Sequence, residues 1–193
     1  MESLALAVTA ALGLKLKVCL VGDPAVGKTS LIRRFVVNAF DDTYLATIGA
    51  KVSKKEVDVA LPSGVKLHAT MFIWDIMGDS RIGEVLKDAY LVGVQGILAV
   101  ADLTRRETFR GVAVWLDTVR RAAGRVPVVL AVNKADLAER AAFDSRDLEA
   151  VGQALGCPYV LTSAKTGENV EEAFRRLAMA LATLVVGTAS TPG

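Results

Sequence analysis

The sequence predicts an α/β domain with a six-stranded, mostly parallel sheet, one antiparallel edge strand and helices on both faces. Three observations carry that expectation. Apolar runs of strand length alternate along the chain with helical patterns, which is the signature of a sheet covered on both sides. Two neighbouring extended runs are joined by the turn Pro62-Ser63-Gly64, which makes a hairpin and so one antiparallel strand. Four polar stretches, Gly22 to Thr29, Asp75 to Gly78, Asn133 to Asp136 and Thr162 to Lys165, each fall at the carboxyl end of a strand, where open α/β sheets place their ligands.

The elements follow in order. Residues 3–14 are apolar and uncharged, flanked by Glu2 and no Lys or Arg, so they match a signal-peptide core only in part. They are read as an N-terminal extension over residues 1–14, either a strand or helix packed on the domain or a weak contact for a membrane or partner. Glu2 excludes N-myristoylation. Leu16 to Val21 is the first strand, and Ser30 to Val37 carries a helical pattern. Asn38 to Gly49 is polar and broken in period, a loop. Val52–Leu61 and Lys66–Trp74 form the hairpin, Gly96–Ala101 a buried strand, and Val126–Val132 another. Residues 106–122 form a helix whose apolar face holds Phe109, Val112, Trp115, Leu116 and Val119, which makes Trp115 a core residue. Residues 145–155 are a helix, Tyr159–Leu161 the last strand, and residues 168–186 the last helix. The domain is expected over residues 15–186, with residues 187–193 as a flexible tail.

Composition narrows the function classes. The 193 residues suit one domain with a full core. Twenty-three basic against 21 acidic side chains give +2, which argues against nucleic acid as a partner. Cys19 and Cys157 lie in apolar runs, away from metal-ligand spacing, and read as buried hydrophobes. His68, the only histidine, has no ligating cluster beside it and reads as structural or solvent-facing. No stretch approaches the roughly 20 apolar residues of a membrane span.

Gly22-Asp23-Pro24-Ala25-Val26-Gly27-Lys28-Thr29 carries the chemistry. It is G-x-x-x-x-G-K-[ST] between a strand and a helix, a phosphate-binding loop. Its backbone N–H groups and the helix N-terminus supply a positive field for a polyphosphate. From Asp23 to Ser30 the loop would surround the phosphates, with Lys28 reaching the β- and γ-phosphates and the Thr29 hydroxyl ligating Mg²⁺. Asp75, ending the neighbouring strand, can hold Mg²⁺ through water, and Gly78 offers an unhindered N–H to a γ-phosphate. Thr47 stands in a loop that can close on both. Asp136 sets the base: a carboxylate accepts the N1–H and N2–H₂ pair of guanine, and adenine has no such pair.

These motifs together resemble the Ras superfamily of small GTPases, nearest in texture to its Rab and Ras branches. The likeness spans roughly residues 15–185. It rests on the phosphate loop, Tyr44-Leu45-Ala46-Thr47-Ile48-Gly49, Trp74-Asp75-Ile76-Met77-Gly78, Asn133-Lys134-Ala135-Asp136 and Thr162-Ser163-Ala164-Lys165, with Asp102-Leu103-Thr104 and Trp115-Leu116 as smaller matches. The resemblance implies a P-loop NTPase fold, bound GTP or GDP with Mg²⁺, and GTP hydrolysis. It implies that Asn133 and Lys134 brace and stack the base, that the Ala164 N–H faces its O6, and that Ser163 and Lys165 belong to the same pocket. Tyr44 falls in the loop that would line the nucleotide, and Phe40 where the family sets an aromatic against the base; a hydrophobic staple at the helix end is the alternative for Phe40. Effector, exchange-factor and GTPase-activating partners follow from the resemblance, as does a cytoplasmic monomer, at most peripheral to a membrane.

Two positions depart from the pattern. Asp79 stands where the family usually has the Gln that orients the attacking water, with Ser80 after it instead of Glu. An ionised Asp is shorter, donates no hydrogen bond and adds negative charge to a negative transition state, so intrinsic hydrolysis should be slow. Asp79 as an acceptor for the water, or Ser80 or Arg81 in its stead, are the alternatives. Pro24 has no N–H to give, and its ring fills space that a partner's arginine would cross. Residues 38–50 contain no Arg or Lys, which excludes an arginine finger from that loop. Gly187 to Gly193 holds no cysteine for a lipid, so no lipid anchor is expected, and a prokaryotic origin is compatible with such a tail. A GTP-binding scaffold with negligible hydrolysis is the rival reading.

Overall fold

The computed structural model describes residues 13–41, 49–76 and 89–189. Tyr44, Thr47, Gly78 and Asp79 lie outside the described residues, as do residues 1–12 of the expected extension and 190–193 of the expected tail.

Six strands form one sheet: β1 (Leu14–Val21), β2 (Ala50–Ala60), β3 (Lys66–Ile76), β4 (Gly96–Asp102), β5 (Val128–Asn133) and β6 (Tyr159–Leu161). Their order is β2-β3-β1-β4-β5-β6. Among the described residues, only β2 and β3 pair antiparallel, and every other neighbour is parallel. The helices among them include α1 (Lys28–Val37), α2 (Glu107–Ala123), α3 (Ser145–Leu155) and α4 (Val170–Ala189).

Side-chain alternation splits the core into two layers. Leu16, Val18 and Leu20 of β1 and Leu98 and Val100 of β4 point into one cluster, with Leu31 and Phe35 of α1 and Phe174 and Leu177 of α4. Their neighbours Cys19, Val21, Ile97 and Ala99 point the other way, to Phe109, Val112, Trp115 and Leu116 of α2 and Leu148 of α3. A period of two with both sets buried is what a sheet covered on both faces requires. At the edge, β2 carries Lys51, Lys54, Lys55, Glu56 and Asp58 and buries only Val59, which discourages pairing with a second chain. Cys19, Cys157 and Trp115 are buried, and His68 is exposed between Glu56 and Asp58.

The Phe35 and Phe174 rings stack at 4.0 Å in the first cluster, with Phe174 fully buried. Phe174→Ala should therefore lower stability by about 3–5 kcal/mol, read as a lower denaturant midpoint at unchanged slope.

Element ends differ from expectation for identifiable reasons. β1 begins at Leu14, inside the expected extension, because Leu14 is buried and pairs with Ala69. The last helix continues to Ala189, past Gly187, so the expected tail begins too early. Val185 and Val186 pack on the core and carry the final turn with them, so Gly187 is not the stop it resembles in sequence. That helix starts at Val170 instead of 168, after a turn with Asn169 at φ 51°.

Candidate functional site

The phosphate loop joins the end of β1 to the start of α1. Gly22 has φ 143°, and a Cβ there would run into the Val100 carbonyl oxygen. Gly27 has φ 100°, and a Cβ there would meet the Asn133 side-chain amide. Both positions thus need glycine for conformation and for space. Between them Val26 is fully buried and pins the loop to the core. Gly27 caps α1 with no side-chain hydrogen bond, and no acidic residue sits in the first turn. The helix N-terminus is left open to an anion.

Lys28 is buried and donates to the carbonyl oxygens of Gly22 at 2.7 Å and Asp23 at 2.9 Å. Burial pushes its ammonium down to about 8, with Asp75 and Asp23 opposing that fall. The Thr29 hydroxyl donates to Asp75 Oδ2 at 2.5 Å, bringing α1 and the end of β3 together. Leu20 and Asp75 are register partners on β1 and β3, so the sheet itself sets that approach. Ser30 is half-buried in the first turn of α1, and Pro24 and Ala25 are exposed on the loop.

The second half of the site comes from β5 and β6. Asn133 ends β5; its Nδ2 donates to the Val26 carbonyl at 2.8 Å, and its Oδ1 accepts from the Ala164 N–H at 3.1 Å. One buried amide therefore ties the phosphate loop to the loop after β6. The Ala164 N–H, expected at a base oxygen, is engaged by Asn133, because a buried N–H must find an acceptor. Asp136 is exposed and accepts from the Ser163 hydroxyl at 2.6 Å. Arg34 of α1 donates to the carbonyls of Ala164 at 2.9 Å and Lys165 at 2.6 Å, which fixes the same loop from the other side. Phe40 is half-buried against the core of the α1 and α4 face.

Asp102, absent from the sequence-predicted site, is the largest addition. Its side chain is 1% exposed and sits 2.6 Å from Lys134 Nζ. It also accepts from Arg105 Nε at 3.0 Å and from the Thr104 N–H and hydroxyl at 2.9 and 2.7 Å. Burial alone would raise this carboxyl; Lys134, Thr104 and Arg105 outweigh it and hold it below its ordinary 3.8. A carboxyl depressed in the folded state adds stability above its unfolded value and loses it as pH falls through the folded one. Asp102→Asn should thus lower the melting temperature near pH 7, and the gap to wild type should close below about pH 4. Only the strand end and a short family likeness mark Asp102 in sequence; its cationic partners come from separate loops.

Among the described residues, no three His, Cys, Asp or Glu side chains cluster to hold a metal. A groove of about 760 Å³, floored by Leu116, Val119 and Leu155, opens beside Pro127 and Pro158. It lies at the amino ends of β5 and β6, away from the phosphate loop and from Asn133, Asp136 and Ser163, and so does not compete as the candidate site.

The Ras family model matches residues 17–183. The chain belongs to the Ras family. It is similar to the GTP-binding protein YPTM1 of Zea mays, 39% identical over 166 residues, covering 86% of this chain and 77% of the relative. It is also similar to the Ras-related protein Rab-1D of Dictyostelium discoideum, 33% identical over 177 residues, covering 91% of this chain and 84% of the relative. As a Rab-like member of a family of small GTPases, it is a GTP-binding GTPase. No helix among the described residues of this Ras-family GTPase is long and apolar enough to cross a membrane.

Proposed function

We propose that this GTPase is a Mg²⁺-dependent switch that hydrolyses GTP slowly unaided, its bound nucleotide read by effector, exchange and activating proteins. The observation that carries the reading is Asn133, whose amide joins the phosphate loop at Val26 to Ala164 beside Asp136 and Ser163. That bridge sets a phosphate cradle and a base-reading carboxylate along one rim of the sheet. Thr29 and Asp75 offer hard oxygens in contact, a donor set that suits Mg²⁺, which usually takes one or two side chains plus phosphates and water. When bound, Mg²⁺ would neutralise charge on the phosphates. Lys28 would trade its two carbonyl partners for phosphate oxygens, gaining anionic acceptors for neutral ones. Entry of the base would likewise trade the Ala164 N–H from Asn133 to the base oxygen.

Asp79 favours slow hydrolysis, and a scaffold with negligible hydrolysis is the extreme of the same observation. Single-turnover hydrolysis of bound GTP separates them. Asp79→Gln should raise the rate by roughly 10²–10³-fold, since one oriented donor at the transition state is worth that order. A fast wild-type rate that rises no further in the variant would sink the slow-hydrolysis reading, and no turnover in either protein would favour the scaffold.

A further inference from the structure

Two loops of the site meet at one buried carboxylate, and the phosphate loop is tied to it through Arg105. Asp102 ends β4 and is the register partner of Asn133 on β5, so it stands at the carboxyl edge of the sheet between the phosphate and base halves of the site. Its Oδ2 takes both cations, Lys134 Nζ at 2.6 Å and Arg105 Nε at 3.0 Å. Lys134 belongs to the base-side loop and holds a left-handed backbone at φ 69°. Arg105 continues outward, and its Nη2 donates to the Pro24 carbonyl of the phosphate loop at 3.1 Å. The remaining Oδ1 is filled by Thr104. With all four approaches taken, the carboxylate fixes where both cations lie.

We propose that Asp102 is a positioning residue for nucleotide retention, holding Lys134 for the base and, through Arg105, the Pro24 carbonyl of the phosphate loop. The inference rests on the nucleotide site of the proposed switch. Lys134 without Asp102 regains the freedom of a flexible four-carbon stem, and its alignment against a base is lost. Arg105 without Asp102 releases the loop at Pro24, the position that has no N–H of its own to hold a phosphate. The two arms act on opposite ends of one ligand, so their loss appears in release more than in encounter.

The test is the release rate of a fluorescent GDP from the full chain with Mg²⁺. Asp102→Asn keeps the size and an acceptor for Thr104 but removes the charge; it should speed release by about tenfold or more. Lys134→Met should also speed release, and adding Asp102→Asn to it should bring a smaller increment than in wild type, because part of the effect passes through Lys134. Thr104→Val removes the hydroxyl bond to the same carboxylate, keeps the backbone N–H bond and touches neither cation, so it should leave release within about twofold. If Asp102→Asn fails to fold, Arg105→Gln reads the loop arm alone, with release expected about threefold or more faster. Release unchanged in Asp102→Asn, or independent multiplication of its effect with that of Lys134→Met, would overturn the inference. So would Thr104→Val matching Asp102→Asn, which would mark a merely structural role. A wild-type chain that binds no GDP would instead overturn the nucleotide site itself.

Discussion

Asp136→Asn is expected to weaken GTP binding by about 10³–10⁴-fold while leaving the fold intact. Guanine presents two donors, N1–H and N2–H₂, and a carboxylate answers both. An amide in its place turns one acceptor into a donor, so two donors face each other in a closed pocket and one polar group goes unpaired. Asp136 is exposed and, among the described residues, accepts from the Ser163 hydroxyl at 2.6 Å, which can turn to serve an amide. The fold therefore loses little. Xanthine carries a carbonyl where guanine has the 2-amino group, so the same variant should bind XTP more tightly than wild type does. Titration of both nucleotides into both proteins measures the exchange of preference.

Lys28→Met is expected to separate stability from binding. Lys28 is buried against two neutral carbonyls, and burial lowers its pKa to about 8. A cation whose folded value lies below its ordinary 10.5 is a cost to the folded state at neutral pH. Replacing it with an apolar chain of similar length should leave the nucleotide-free protein as stable or more so. Binding should fall by about 10²–10⁴-fold, because charge-assisted bonds to two phosphates are lost. Thermal melting reads both effects together: a melting temperature no lower than wild type without nucleotide, and no rise on adding GTP. A variant that melts earlier without nucleotide would contradict the burial argument.

The parts of this molecule visible in sequence are those fixed by local rules. Strand and helix periods, the Pro62-Ser63-Gly64 turn and the glycines of the phosphate loop each depend on residues a few positions apart, and the mostly parallel sheet with one antiparallel pair follows from them, though its strand order does not. Asp136 is readable as chemistry, since a carboxylate matches the two donors of guanine, whereas Asn133 is legible only through the family resemblance. What sequence could not carry depends on which atoms meet across the fold. Nothing near Asp102 in the chain announces Lys134. The capture of the Ala164 N–H by Asn133 depends on which acceptor the fold brings nearest. The last turn of α4 follows from Val185 and Val186 finding the core, against the local signal of Gly187.

Guanine selectivity is the claim on which the rest stands, and competition for bound fluorescent GDP tests it most directly. With Mg²⁺ present, unlabelled GTP should displace the probe at concentrations about 10³-fold or more below those needed by ATP. Equal potency of GTP and ATP would contradict a base pocket read by Asp136, Ser163 and Ala164.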